Sequence, residues 1–322
     1  MALFDAVGGL ELDVESVSTQ RRETPVSTDF VRVTTTVVLT GGGETGSGED
    51  VTYDAKAHDD FPELEERGRT TLEEYSARLE RYGFDDYRRW AFESAGLDLA
   101  LRLTGRSLGD VVGRGYRPVR FVVSTRHDIR PWLDVDPQLE FKVDPVSDWT
   151  GDYMGEIAAA GRVRVLDMKG QYHGTPVDQP PDARLYRAAV ELFPEAIIED
   201  PALTDETREP LSGAASRLSW DAPIHSIADI EARDPRYVNI KPSRFGTVRR
   251  LFDAIDHCEA TGITMYGGGQ FELGVGRSQI QVLASLFYAD SPNDVAPGAY
   301  NEGEPRPGLP KSPLGAPNRV GF

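Results

Sequence analysis

The sequence predicts an α/β protein, a TIM-type (β/α) barrel preceded by an N-terminal α+β capping domain. Three observations carry that prediction. From residue 118 onward short apolar runs alternate with helical segments; seven or eight such units fit before residue 300; and the first 115 residues follow a different pattern, strand alternation first and helical periodicity after it. Repeated strand-then-helix units imply parallel strands joined by right-handed crossovers, and that many of them indicate a barrel. No glycine-rich dinucleotide fingerprint follows the first strand, which disfavours an open doubly wound sheet. The boundaries read as a capping domain over 1–115, a barrel over 116–300 and a Pro/Gly-rich tail over 301–322.

In the cap, segments 10–14 (LELDV), 30–39 (FVRVTTTVVL) and 51–53 (VTY) read as a three-stranded meander, with a glycine-rich turn before the last. From Thr70 to Thr104 the period becomes helical. Leu72, Tyr75, Leu79 and Tyr82 share one face, and Trp90, Phe92, Ala95, Leu97 and Leu101 follow, with Gly83 and Gly96 dividing the stretch into two or three helices. Barrel strands are expected at 119–124, 139–143, 163–167, 196–199, 217–221, 237–241 and 262–266, with an eighth near 293–296. Helices are expected at 185–192 and 247–261 among others. The residues after 297 read as an extended surface tail.

Asp and Glu outnumber Lys and Arg by 53 to 35, a net charge of −18. Nucleic acid is thereby disfavoured as a partner, because phosphate binding needs clustered positive charge. The excess, with the poverty in lysine, reads as salt adaptation and a solubility device. Cys258 is the single cysteine, so no internal disulfide forms, and no His and Cys pair has zinc-ligand spacing. The first residues lack a signal peptide's basic start and apolar core, and no stretch reaches membrane-spanning length. A soluble, cytoplasmic protein is expected, without membrane partners.

The chain holds five lysines against thirty arginines, and Lys142, Lys169 and Lys241 close or follow apolar runs that read as buried strands. Lysine, unlike arginine, can shed its proton when desolvated, so a lysine kept in such places is a candidate acid or base. Asp167, Glu199 and Asp221 likewise close strands, and active sites of barrels lie at those C-terminal ends. Three acids from consecutive strands form a hard-oxygen site suited to Mg²⁺, with Mn²⁺ as the alternative. Asp221 lies 22 residues past Glu199 and 20 before Lys241, about one βα unit each way; His225 is a rival third ligand. Structural ion pairs and strand-end caps are the plainer readings of the same residues. Glu272 is placed to hydrogen-bond a lysine or a substrate. His173, Arg21, Arg22, Tyr53 and Asp54 read as loop or cap positions that either touch substrate or are simply solvated. The glycines 267–269 lack the lysine of a phosphate loop and read as a tight turn or a close backbone approach.

Segments 141–143 (FKV), 166–169 (LDMK), 198–201 (IEDP), 220–221 (WD), 238–244 (VNIKPSR) and 267–276 (GGGQFELGVG) come in the order of the strand motifs of the enolase superfamily. The chain resembles that superfamily over nearly its whole length, most closely its muconate-lactonizing subgroup. The resemblance implies a capping domain over a barrel, and a Mg²⁺ site at Asp167, Glu199 and Asp221. It also implies general acid and base roles for Lys142 and Lys241, and proton abstraction α to a substrate carboxylate through an enediolate. Cycloisomerisation, racemisation and an o-succinylbenzoate synthase-like dehydration all fit, on a small-molecule carboxylate, with homo-oligomerisation left open. The chain departs from the pattern at Lys169, where the family usually has asparagine, and at Ala222, where it usually has glutamate. Lys169 is therefore either catalytic or a salt bridge replacing the metal's function. Asp294-Val-Ala296 lacks the paired aspartates of dipeptide epimerases, which disfavours an amino-acid substrate. A non-catalytic barrel without productive metal binding is the rival reading.

Overall fold

The computed structural model describes residues 2–26, 30–317 and 319–322. In the cap, α1 (Leu3–Val7) leads to β1 (Glu11–Val14), β2 (Ser16–Pro25), β3 (Val31–Gly41), β4 (Glu44–Asp50) and β5 (Gly68–Thr71), then to α2 (Leu72–Leu79), α3 (Asp86–Leu103) and α4 (Leu108–Val112). The three-stranded antiparallel sheet is β2-β3-β4, whereas β1 pairs with β5. The expected meander of 10–14, 30–39 and 51–53 is thus corrected in two of its members, and 51–53 is not a strand. Segment 16–25 escapes a reading by hydrophobic pattern because it is an edge strand exposed along most of its length. Segment 44–50 reads as loop because of its glycines, yet those glycines serve packing. A Cβ at Gly46 or Gly48 would run into the α3 backbone at Ala95 and Ala91, so the helix lies directly on the strand. The turn is made by Gly42 and Gly43, both at positive φ.

Capping places the helices. Thr71 and Glu74 form a reciprocal capping box for α2, and Asp85 accepts from Arg88 N–H at the start of α3. Gly83 does end a helical stretch, in the left-handed region. Gly96 does not; it lies inside an unbroken α3, where a Cβ would come within 2.8 and 2.9 Å of the Tyr75 ring. Gly96→Ala should therefore destabilise the protein by about 1 kcal/mol in urea unfolding, overpacking against Tyr75 outweighing alanine's better helix propensity.

The second half runs β6 (Val123–Thr125), α5 (Arg130–Val135), β7 (Phe141–Val143), α6 (Gly151–Ala159), β8 (Val163–Asp167) and α7 (Ala183–Leu192). It continues with β9 (Ile197–Glu199), α8 (Asp205–Leu211), β10 (Leu218–Trp220), α9 (Ile227–Arg233), β11 (Tyr237–Ile240), α10 (Pro242–Phe245), α11 (Val248–Thr261), β12 (Thr264–Gly267) and α12 (Val275–Phe287). The seven strands form one curled parallel sheet in sequence order, β6 to β12. The expected eighth strand is reduced to two isolated parallel bridges, Phe121 with Asn293 and Gly268 with Asp294. The buried Asn293 side chain supplies further links there: it accepts from Gly267 N–H at 2.7 Å and donates to the Arg120 carbonyl at 2.9 Å. Both edges of the sheet are thereby tied to one segment.

Expectation and structure also differ at the tail. Leu314 bridges Val119, Gly321 bridges Ser107, and Phe322 is 1% exposed with its ring edge-on to Trp90 of the cap. Burial of that aromatic ring draws the segment's end off the surface into the cap core. Asn318 of this stretch lies outside the described residues.

Two buried cap side chains grip the loop after β12. Arg32, fully buried, donates to the carbonyls of Val51, Thr52, Gln270 and Phe271 at 2.7 to 3.1 Å. Glu49 accepts from the N–H groups of Leu273, Gly274 and Gly276, covering the start of α12.

Candidate active site

Parallel strands deliver their C-terminal residues to one end of the sheet. Asp167 closes β8, Glu199 closes β9 and Asp221 follows β10, all fully buried, and one oxygen from each lies within 4.8 Å of the others. Cations surround them. Lys142 on β7 reaches Asp167 Oδ2 at 2.9 Å, pairs with Glu199, and stands 3.8 Å from Asp294. Lys169 pairs with the same Asp167 oxygen and lies 3.8 Å from Asp144. Lys241, at the end of β11, meets Asp221 Oδ2 at 2.8 Å. Arg244 donates to Asp221 Oδ1 at 2.9 Å, and the Tyr172 hydroxyl donates to Oδ2 at 2.8 Å.

The electrostatics follow from burial and these partners. Burial disfavours the Lys142 ammonium, but attraction to Asp167, Glu199 and Asp294 prevails and holds its pKa well above the usual lysine range. Burial also opposes ionisation of Asp167 and Asp221. Lys142 and Lys169 overcome it at the first, Arg244 and Lys241 at the second, and both acids sit below the usual range. Glu199 goes the other way: burial, with the charges of Asp167 and Asp221 added, pushes it well up despite Lys142. It accepts from the Tyr266 hydroxyl and from Asn239 Nδ2, the latter at 3.3 Å. Asp200, in the left-handed region, accepts from the N–H groups of Asp221 and Ala222; burial and the neighbouring Asp221 raise it to about 7.

A cavity of about 200 Å³ opens over this cluster. Lys142, Lys169 and Lys241 line it, together with Tyr53, Arg277 and Asp294. Tyr53 reaches it from the cap, with the Arg32 guanidinium 4.3 Å from its ring centroid. Glu272 does not line it; its carboxylate accepts from Gln270 N–H at 2.6 Å and faces Arg277. Gly268 gives the Lys241 stem room, since a Cβ there would lie 2.9 Å from Lys241 Cε. His173 stands mostly exposed near Asp178, Arg21 pairs with Glu23, and Asp54 caps a short turn. Sequence reasoning missed Asp144, Tyr172, Arg244, Tyr266 and Arg277. Arg244, one turn past Lys241 in the VNIKPSR segment, was the one with a local signal.

His225 is not part of the cluster. Its Nδ1 lies 3.3 Å from Asp86 Oδ2 and 3.1 Å from the Arg244 carbonyl, linking the parallel-sheet half to the cap. The hydrogen bond to Asp86 raises its pKa above the ordinary histidine value. A raised imidazole contributes stability that is complete below its unfolded pKa and lost as pH rises through its folded one. The unfolding free energy from urea titration should thus fall slightly between pH 6 and 8, by about 0.5 kcal/mol for so exposed a pair, and His225→Asn should flatten that slope.

Two family models cover the chain: the N-terminal domain of a domain of unknown function, DUF8230, over residues 5–111, and its C-terminal domain over 115–302. The chain belongs to the DUF8230 family. Solved structures similar to this DUF8230 protein are enolase-superfamily members. Dipeptide epimerase from Methylococcus capsulatus, complexed with Mg ion, aligns with a TM-score of 0.69 at 17% identity over 88% of this chain and 89% of that one. Muconate cycloisomerase from Pseudomonas fluorescens aligns at 0.66 and 18% identity over 88% and 87%. At these identities the likeness is one of fold. A 107-residue stretch is 30% identical to o-succinylbenzoate synthase of Bacillus subtilis (strain 168), covering 31% of the DUF8230 chain and 29% of that enzyme. Among the described residues of the DUF8230 protein no helix is long and apolar enough to cross a membrane.

Proposed function

We propose that this protein is a divalent-metal-dependent lyase or isomerase that removes the proton α to a substrate carboxylate, by way of an enediolate. The observation that carries the reading is the set of three buried carboxylates, from consecutive strands, with oxygens within 4.8 Å of one another. An oxygen-only anionic donor set of this kind fits a hard cation, Mg²⁺ or Mn²⁺, held by Asp167, Glu199 and Asp221. When bound, the cation supplies positive charge where the substrate carboxylate gathers electrons. Sites of the enolase superfamily pair a lysine or histidine base with magnesium in this way.

The lysines divide the remaining work. Lys142 faces three carboxylates and is held protonated, so it acts as the acid or as the stabiliser of developing negative charge. Lys241 has one carboxylate partner, which Arg244 and Tyr172 also hold, so its nitrogen is the better base. The C–H bond breaks, its electron pair moves onto the substrate carboxylate, and the proton passes to Lys241 Nζ. Return of a proton on the other face gives racemisation; departure of a β-substituent gives elimination; the reverse of a β-elimination within one molecule gives cycloisomerisation. Glu272 contributes by positioning Arg277. The reading includes a complete barrel with 293–296 in the place of the eighth strand, and a cytoplasmic enzyme acting on a small carboxylate.

The second reading, a barrel without catalysis, draws on Lys169, whose ammonium on Asp167 already supplies counter-charge. Thermal unfolding at constant high ionic strength separates the two. Mg²⁺ should raise the Tm of wild type, by about 2.7 kcal/mol of stabilisation at a hundredfold excess over Kd, and leave Asp167→Asn unmoved. Equal responses, or none, would remove the metal site and leave the second reading standing.

A further inference from the structure

We propose that Lys169 is a displaceable counter-ion of the three-carboxylate site: its ammonium rests on Asp167 until a divalent cation draws on that carboxylate, and then moves to Asp144. The inference rests on the proposed function and adds to it what governs the cation's affinity. Lys169 and Asp144 come together because their strands are neighbours. Asp144 is the first residue after β7 and Lys169 the second after β8, and the two strands pair in parallel. Lys169 stands in the left-handed region, where its own N–H donates to Asp167 Oδ1 at 3.2 Å while its side chain turns back onto Oδ2. A cation held by Asp167 meets that ammonium at close range. A like charge within about 4–6 Å costs about one to three powers of ten in the binding of a positive charge.

The two ammoniums on Asp167 are not equivalent. Lys142 is wedged between two of the three acids, 2.9 Å from Asp167 and paired with Glu199. Lys169 pairs with Asp167 alone of the three and has another carboxylate in reach, Asp144 Oδ2, 3.8 Å from its Nζ. A shift of about 1 Å brings that contact to hydrogen-bonding distance. Lys169 lines the cavity, so its side chain has room to make the move. Asp144 has cause to receive it. The residue is buried, its Oδ2 accepts at 3.1 Å from Nε of the exposed Arg126, and its enclosed Oδ1 has no hydrogen-bond partner among the described residues. A buried carboxylate compensated so thinly gains from a second cation at Oδ2. The ammonium therefore has two seats, and the occupancy of Asp167 by a metal selects the second.

The test is the affinity for Mg²⁺, titrated calorimetrically into the full chain and its variants at constant ionic strength, with a metal-free melt to show that each variant is folded. Lys169→Met removes the ammonium and leaves Asp167 its contact with Lys142, so it should bind Mg²⁺ about tenfold or more tightly than wild type. Lys169→Asn, whose side chain tolerates the left-handed backbone, should do the same. Asp144→Asn removes the second seat and should weaken binding by about fivefold. The double variant decides between displacement and a plain sum of charges. With no ammonium to receive, Asp144 loses most of its influence, and Lys169→Met with Asp144→Asn should bind nearly as tightly as Lys169→Met alone. A double variant that returns to wild-type affinity shows two independent charges that cancel, and overturns the proposal. Lys169→Met and Lys169→Asn binding no more tightly than wild type overturn it as well. The metal site and the proposed function survive either result. If Mg²⁺ binds neither wild type nor the Lys169 variants, both fall.

Discussion

Replacing Lys241 by alanine is expected to abolish turnover and leave the fold intact. The two halves of that result have separate causes. Loss of a general base costs typically 10²–10⁴-fold, and α-proton exchange into deuterated water should fall by about 10³-fold or more. Stability survives because the acid left behind is not stranded: Asp221 keeps Arg244 at 2.9 Å and Tyr172 at 2.8 Å. Hydrogen–deuterium exchange at the substrate α-carbon, followed by NMR beside a thermal melt, tests both at once. Normal exchange in Lys241→Ala would remove this lysine from the mechanism.

Lys142→Met is expected to behave differently, losing activity and much stability together. Lys142 is 1% exposed, and its ammonium is shared between Asp167 and Glu199. Without it Asp167 retains Lys169, but among the described residues Glu199 retains only the neutral donors Tyr266 and Asn239. Breaking a buried ion pair by removing one partner costs about 3–5 kcal/mol where the other group stays charged, and Glu199, already pushed well up by burial, sheds part of that cost by taking a proton. Urea unfolding should show that loss. Lys142→Met combined with Glu199→Gln should be more stable than the single variant, since the stranded charge is then gone. A single variant as stable as wild type would mean that Glu199 is already neutral.

These contrasts bear on what a sequence can disclose. The acids at 167, 199 and 221 were legible because each ends an apolar run, and parallel strands bring such ends to one place. Which lysine serves which acid was not legible, since Lys142 from β7 and Lys169 from the loop after β8 converge on one oxygen of Asp167. Arg32 was hidden for another reason. In an alternating strand it reads as a solvent-facing residue, yet four carbonyls, two of them about 240 residues away, satisfy its guanidinium inside the protein. The glycines of β4 look like a turn until the helix lying on them is known. Asn293 replaces part of a strand with one side-chain amide, which no periodicity reveals.

The grip of Arg32 and Glu49 on the loop after β12 has a thermodynamic meaning beyond docking. The family models divide the chain between residues 111 and 115, but the four carbonyls and three amides held by these side chains straddle that division. Separating the halves would strip Arg32 of two of its four carbonyls and Glu49 of all three amides, and leave only water to replace them. Phe322, contributed by the far end of the chain to the core around Trp90, would leave a hole of its own. Cutting at that boundary therefore yields two fragments that each lack part of their interior, and heat should melt the intact chain as one calorimetric unit.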